Sequence, residues 1–105
     1  MLDISNSKIA TVIMLAREGR SAEGQLYGFI ADLNEDEKAS LVAVMWIGRD
    51  TFDAEDLEEA METARNEATT PTEDYLLGVP LLSDYLEAGL EKLGIEPGDL
   101  EEEFY

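Results

Sequence analysis

Carboxylates are the side chains of this chain best suited to chemistry, and a dense group of them follows Arg49. Asp50, Asp53, Glu55 and Asp56 lie within a single short stretch. Such a cluster could hold a divalent cation, but it lacks the central glycine and the bidentate glutamate of an EF-hand loop. We therefore predict a helix cap at Asp53 and a solvated acidic first turn, with no metal site.

Two residue types that carry much of protein chemistry do not occur in the 105 residues, namely histidine and cysteine. Without histidine the chain lacks the commonest general base near neutral pH and the commonest metal ligand. Without cysteine it has no thiolate nucleophile and no disulfide. A serine-lysine pair would need Lys8, Lys38 or Lys92 to lie desolvated beside a serine. We predict that the protein is not an enzyme, has no catalytic residues and binds no cofactor.

Arg49 and Trp46 are the most suggestive single residues. An arginine that follows an apolar helix in so acidic a chain invites pairing, since its planar guanidinium can hold a carboxylate and helix carbonyls together. We predict a buried or half-buried ion pair for Arg49, with a ligand-anchoring role as the alternative. Trp46 is predicted to be a core aromatic, with a binding hot spot as the alternative.

The net charge of −18 limits the partners that the protein can have. Of its 25 acidic residues, 21 lie in residues 35–105, which carry four of the seven basic residues. Such a surface repels nucleic-acid phosphates and anionic lipid and attracts basic partners or cations. The N-terminus lacks the basic start of a signal peptide, and no apolar run is long enough for a membrane span. We expect a cytoplasmic protein that binds neither nucleic acid nor membranes.

The apolar residues recur with helical spacing throughout the chain. A first helix starts near Ser5 and ends at Gly19, and a second covers about residues 23–33, where Gly28 suggests a close helix approach. The third begins at Asn34, with Glu37 in capping-box spacing, and continues through an uninterrupted apolar run. A helix that is apolar on most of its faces is expected at the centre of the fold. Gly48 is predicted to be its C′ residue.

The second half of the chain continues in the same way. Asp53 is predicted to cap a fourth helix, and Pro80 suits the first turn of a fifth after a short helical turn at residues 72–77. The predicted fold class is all-α, a small compact bundle of about five helices around a central apolar helix at about 34–47. We expect residues 1–105 to form a single helical domain. Its acidic end, residues 95–105, is expected to dock as a last turn or to fray.

Three sequence blocks resemble an uncharacterised bacterial family, mainly proteobacterial, known as domain of unknown function 3775. The first is LNEDE at residues 33–37 and the second runs from LVA at 41–43 to WIGR at 46–49. The third consists of DYLLG at 74–78, PLL at 80–82, DYL at 84–86 and GL at 89–90. The resemblance covers most of residues 25–95 and implies a compact helical protein, with no known activity or site to carry over. The family usually has glycine where Asp50 stands, and often a longer segment between its first two helices.

Three functions are compatible with these observations. The leading hypothesis is a non-enzymatic interaction module, whose partner, or a second copy in a homodimer, packs on an apolar and aromatic patch rimmed with acid. The residues predicted for this patch are Tyr75, Leu77, Pro80, Leu81, Tyr85, Phe104 and Tyr105. The alternatives are an acidic mimic of nucleic acid that inhibits a basic protein, and a helical bundle that binds a small ligand or a cation.

Overall fold

A computed structural model describes residues 2–66 and 70–95, and within these residues the fold is all-α, as predicted. Its six α-helices are α1 Asn6–Arg17, α2 Glu23–Ala31, α3 Glu35–Gly48, α4 Leu57–Asn66, α5 Thr72–Leu77 and α6 Leu82–Lys92. Short 3₁₀ turns at Gly19–Ala22 and Ala54–Asp56 precede α2 and α4. The end of the acidic tail lies outside the described residues, as do Phe104 and Tyr105.

The central apolar helix is α3, which packs against α4, α5 and α6. Its start is the predicted capping box: the Asn34 side chain accepts from the Glu37 amide at 2.8 Å, and Glu37 accepts from the Asn34 amide at 3.0 Å. Every residue from Ala39 to Met45 is buried. An apolar run with a strong local start signal therefore forms the middle of the bundle, because only neighbours on several sides can cover it.

The other helix starts differ from the predictions in detail. Ser5 caps α1 by accepting a hydrogen bond from the Lys8 amide, as expected. Asp53 precedes a 3₁₀ turn and makes no side-chain cap bond, because α4 begins only at Leu57. The helix approach predicted at Gly28 is wrong, since nothing lies within 4 Å of a Cβ built there.

The end of α3 corrects the role predicted for Gly48. Gly48 is the last residue of the helix, where it touches the backbone of α6, and Asp50 occupies the C′ position with φ +68°. The amides of Asp50 and Thr51 donate to the carbonyls of Ile47 and Trp46, which is the hydrogen-bond pattern of a Schellman cap. An aspartate thus stands in the left-handed conformation that glycine usually supplies.

A second left-handed residue lies at the corner between α5 and α6. Leu81 precedes the first residue of α6 with φ +61° and ψ +28°. Pro80 was predicted in the first turn of this helix, but it lies before the corner, and α6 begins at Leu82. α5 does not continue through residues 78–81, because Gly78 caps it and Pro80 cannot extend it.

Five of the seven basic residues connect one element of the bundle to another through carboxylates. The pairs are Lys8 with Glu37, Arg17 with Glu87, Lys38 with Glu73, Arg65 with both Asp3 and Asp36, and Lys92 with Asp50. Most of these side chains are partly exposed, so each pair adds little stability. Together these pairs engage most of the basic side chains of the chain in contacts within the fold.

Candidate functional site

An open cleft of about 490 Å³ lies between the end of α1 and the corner that joins α5 to α6. The 3₁₀ turn Gly19–Ala22 and the first turn of α2 form its other side. Its floor and walls are mainly leucine and valine side chains, and its rim is charged. The lining residues that matter for binding are Arg17, Arg20, Leu26, Leu77, Val79 and Leu81.

Leu81 is the most exposed large apolar side chain in the described part of the chain, with 63% of its surface open to solvent. Its left-handed backbone conformation disfavours a residue that has a Cβ, by roughly 1–2 kcal/mol. Neither feature helps folding, because an exposed leucine contributes little burial and a glycine would fit this backbone better. Backbone strain of this kind is found most often at binding and active sites.

The charged rim contains four side chains with different surroundings. Arg17 is paired with Glu87 of α6. Glu23 and Asp84 lie in the first turns of α2 and α6, where helix dipoles favour negative charge. Arg20 is exposed, and its side chain makes no hydrogen bond or ion pair with any residue in 2–66 or 70–95. It is therefore the charge of this rim that the described fold leaves uncompensated.

The structure brings some of the predicted patch residues to this cleft and leaves others elsewhere. Leu77 and Leu81 line it, and Pro80 is exposed beside Leu81 at the same corner. Tyr75 and Tyr85 are half-buried and do not line this cleft. The cleft residues that the sequence analysis missed are Arg17, Arg20, Glu23, Leu26 and Val79.

Trp46 and Tyr75 form an internal polar contact on another side of the bundle. The indole Nε1 of Trp46 donates a hydrogen bond to the Tyr75 hydroxyl at 2.9 Å, which joins α3 to α5. The Trp46 ring stacks on Phe52 with centroids 5.6 Å apart. Trp46 is half-buried and packs against the buried core.

Arg49 differs from its prediction. It is exposed, and its Nε donates to the hydroxyl of Thr51 at 3.3 Å. Among the described residues it forms no ion pair with a carboxylate, so the predicted buried or half-buried pair is wrong. Instead, Lys92 of α6 reaches the end of α3, where it donates to the Ile47 carbonyl at 3.3 Å and pairs with Asp50.

The acidic residues after Arg49 do not converge. Asp50, Asp53, Glu55 and Asp56 are all exposed. In residues 2–66 and 70–95, no group of three or more acidic side chains is placed to hold a metal ion. The same residues contain no helix with the length and apolar character needed to cross a membrane.

Near the cleft, α2 and α5 are joined by a contact between Tyr27 and Asp74. The negative charge of Asp74, followed by desolvation and by the hydrogen bond between the two side chains, raises the pKa of the Tyr27 phenol above its ordinary value. Tyr27 is exposed, so this contact stays open to solvent beside the apolar cleft wall.

A second cleft, of about 540 Å³, lies at the other end of α6. Apolar residues from the N-terminal segment, α4 and the end of α6 line it together with two polar ones. They are Leu2, Ile4, Ser5, Asn6, Leu57, Leu93 and Ile95. No charged side chain is among them, so this cleft offers a mainly apolar surface without a charged group that could select a ligand.

The arrangement defines a small all-α bundle with a charged-rim cleft in its described part. The chain belongs to the family described as "Protein of unknown function (DUF3775)", whose profile matches residues 23–95. The match includes α2 to α6 and therefore the apolar walls of the cleft, whereas Arg17 and Arg20 precede it. No curated protein and no solved structure matches the chain.

Proposed function

We propose that this protein is a cytoplasmic, non-enzymatic interaction module that binds a segment of a partner protein in the cleft beside Leu81. The observation that carries the proposal is the conformation of Leu81, a large apolar side chain presented to solvent from a strained backbone. A binding function explains both features, because a partner that covers Leu81 gains its burial. Leu77 and Val79 extend the apolar surface into the cleft.

The open shape of the cleft favours a protein segment over a small molecule. Small-ligand pockets usually enclose most of the surface of the bound molecule. This cleft is open to solvent, and Leu81 remains mostly exposed although it lines the cleft. A helix or an extended segment can place one or two anchoring side chains in such a groove while the remainder of the partner stays outside.

Peptide selection with matched variants tests this proposal. A random phage-displayed peptide library is panned on the immobilised protein, and the enriched peptides are titrated against Leu81→Asp and Met14→Asp. Met14 is the control because it is also a large exposed apolar side chain, at 52%, but does not line the cleft. We expect Leu81→Asp to weaken binding at least about tenfold, and Met14→Asp to leave it unchanged.

Two outcomes would overturn the proposal. One is a selection without enriched peptides, or with peptides that bind Leu81→Asp as well as the wild type. The other is a dimer in sedimentation equilibrium that Leu81→Asp dissociates, because the occupant would then be a second copy of this chain. Circular dichroism of each variant verifies that the helices are intact.

A second candidate is the acidic mimic of nucleic acid, and the outer face of α4 with the turn before it favours it. Glu55, Glu58, Glu59 and Glu62 are all exposed, and none pairs with a base in the described structure. The test is displacement of a labelled DNA duplex from protamine. If the mimic is correct, the wild type displaces the duplex and the variant with all four glutamates changed to glutamine does not. Equal displacement by the two proteins contradicts it.

A further inference from the structure

The charge balance of the cleft indicates what kind of segment it accepts. Five of the seven bases are paired with carboxylates, and Arg49 donates to a hydroxyl. Of the seven basic side chains, only that of Arg20 has no hydrogen bond or ion pair with the residues that the structure describes. In a protein with 25 acidic residues, a guanidinium without a carboxylate is unexpected, and this one lies on the rim of an apolar cleft.

The acidic residues that line the cleft, Glu23 and Asp84, do not pair with Arg20. Glu23 and Asp84 each lie in the first turn of a helix, where the N-terminal end of the dipole stabilises their charge. Glu87 is bound to Arg17. Each of these carboxylates thus has a favourable interaction within the fold, while the fixed fork of donors on Arg20 is free to hold a planar anion.

We propose that the bound segment presents an aspartate or glutamate to Arg20, next to a bulky apolar side chain that packs on Leu77 and Leu81. This inference rests on the proposed function and specifies the chemistry of the partner. Because Arg20 and Leu81 line the same cleft, one segment of the partner can present a carboxylate to Arg20 and an apolar side chain to Leu81. An arginine with a carboxylate forms a bidentate pair, which gives direction as well as attraction.

The net charge of the protein predicts how the association rate of this complex depends on salt concentration. A negatively charged segment is repelled by a molecule of net charge −18 before it reaches Arg20. Salt screens that long-range repulsion over about 8–10 Å at physiological ionic strength. The association rate of an acidic peptide should therefore rise as salt is added, whereas a basic peptide held by the acidic surface should associate more slowly.

The peptides selected on the wild-type protein provide the test. We expect enrichment of aspartate or glutamate beside leucine, isoleucine, phenylalanine or tryptophan. Arg20→Gln should weaken their binding about three- to tenfold, Arg20→Glu should weaken it further, and Arg20→Lys should restore part of it. Arg49→Glu is the matched control, since Arg49 is exposed, carries the same charge and does not line the cleft.

The outcomes separate this inference from the function on which it rests. Peptides that require Leu81 but carry no acidic residue, or that bind Arg20→Glu and Arg49→Glu equally, would overturn the role of Arg20 and leave the interaction module intact. Peptides insensitive to Leu81→Asp would overturn both. A panning repeated on Arg20→Glu that enriches lysine or arginine beside the apolar anchor would support the assignment by reversing its charge.

Discussion

Gly48 of α3 and Gly89 of α6 face each other where the two helices cross. A Cβ on Gly48 would lie 1.8 Å from the Tyr85 carbonyl oxygen and 2.9 Å from the Gly89 amide nitrogen. A Cβ on Gly89 would lie 2.1 Å from the Val44 carbonyl oxygen. Both close contacts are with backbone, which cannot move aside as a flexible side chain can. The pair therefore sets how closely α6 approaches the central helix.

Alanine at either crossing glycine should destabilise the fold. For Gly48→Ala and Gly89→Ala we expect a loss of about 1–3 kcal/mol in the free energy of unfolding, because the helices must separate. Gly28→Ala is the control: nothing lies near its Cβ position in α2, so helix propensity alone should add about 0.5–1 kcal/mol. Urea unfolding measures all three, and a crossing variant as stable as Gly28→Ala would contradict the close contact.

Two substitutions of Asp50 separate the energetic cost of its left-handed backbone from the contribution of its ion pair with Lys92. Asp50→Gly and Asp50→Ala both remove the carboxylate that pairs with Lys92, so the loss of that pair cancels between them. Only glycine accepts φ +68° without steric cost. We expect the glycine variant to be more stable than the alanine variant by about 1 kcal/mol in thermal or urea unfolding. Equal stabilities would mean that the backbone relaxes out of this conformation.

The parts of the fold that could be predicted from sequence depend on residues near one another in the chain. Asn34 and Glu37 form their capping box within one turn, and the apolar run after them requires a covered helix wherever it lies. The role of Gly48 could not be predicted, because its contact is with Tyr85 of a helix that only the tertiary fold brings near. The sequence alone cannot distinguish a glycine at a helix end from a glycine at a helix crossing.

The cleft was harder to predict than the helices for the same reason. Arg20 and Leu81 come from distant parts of the chain, and each has an ordinary sequence context. Leucine gives no local signal for a left-handed backbone, unlike glycine or asparagine. From sequence alone, Arg17 and Arg20 are placed like charges that complement the C-terminal end of a helix dipole. A basic pair in so acidic a chain was the available signal, and only the fold places an apolar wall beside it.

Replacing Leu81 should separate stability from binding. Leu81→Gly relieves the left-handed strain and removes a side chain that is mostly exposed, so we expect a gain of about 0.5–1 kcal/mol in the free energy of unfolding. Leu81→Ala keeps the strained backbone and should be less stable than Leu81→Gly. Both should lose affinity for peptides selected on the wild type. A glycine variant that is less stable than wild type would show that the contacts of Leu81 outweigh its strain.

Glu37 should make stability depend on pH in the acidic range. The hydrogen bond from Lys8, followed by the one from the Asn34 amide, holds the pKa of this carboxyl below its ordinary value of 4.5. A lowered pKa in the folded state means that the stabilisation is complete above 4.5 and is lost as the pH falls through the folded value.

Denaturant unfolding of Glu37→Gln and the wild type from neutral to acidic pH measures this contribution. The variant should be less stable at neutral pH, and the difference should shrink below pH 4.5. Glu35→Gln is the control, since Glu35 is exposed in the same first turn of α3. A difference between Glu37→Gln and wild type that stays constant with pH would contradict the assignment.

The hydrogen bond between Tyr75 and Trp46, the only tryptophan of the chain, should contribute to the stability of the fold. Tyr75→Phe removes the hydroxyl that accepts from the Trp46 indole at 2.9 Å and keeps the ring. Because Trp46 is half-buried, water can replace only part of this bond, and we expect a loss of about 1 kcal/mol in the free energy of unfolding. A double-mutant cycle with Trp46→Phe, in which unfolding is followed by circular dichroism, isolates the interaction energy of the pair.

Tyr85→Phe is the control, since this tyrosine is also half-buried but does not accept a hydrogen bond from the indole. Additive effects of Tyr75→Phe and Trp46→Phe would show that α3 and α5 are held together by packing alone.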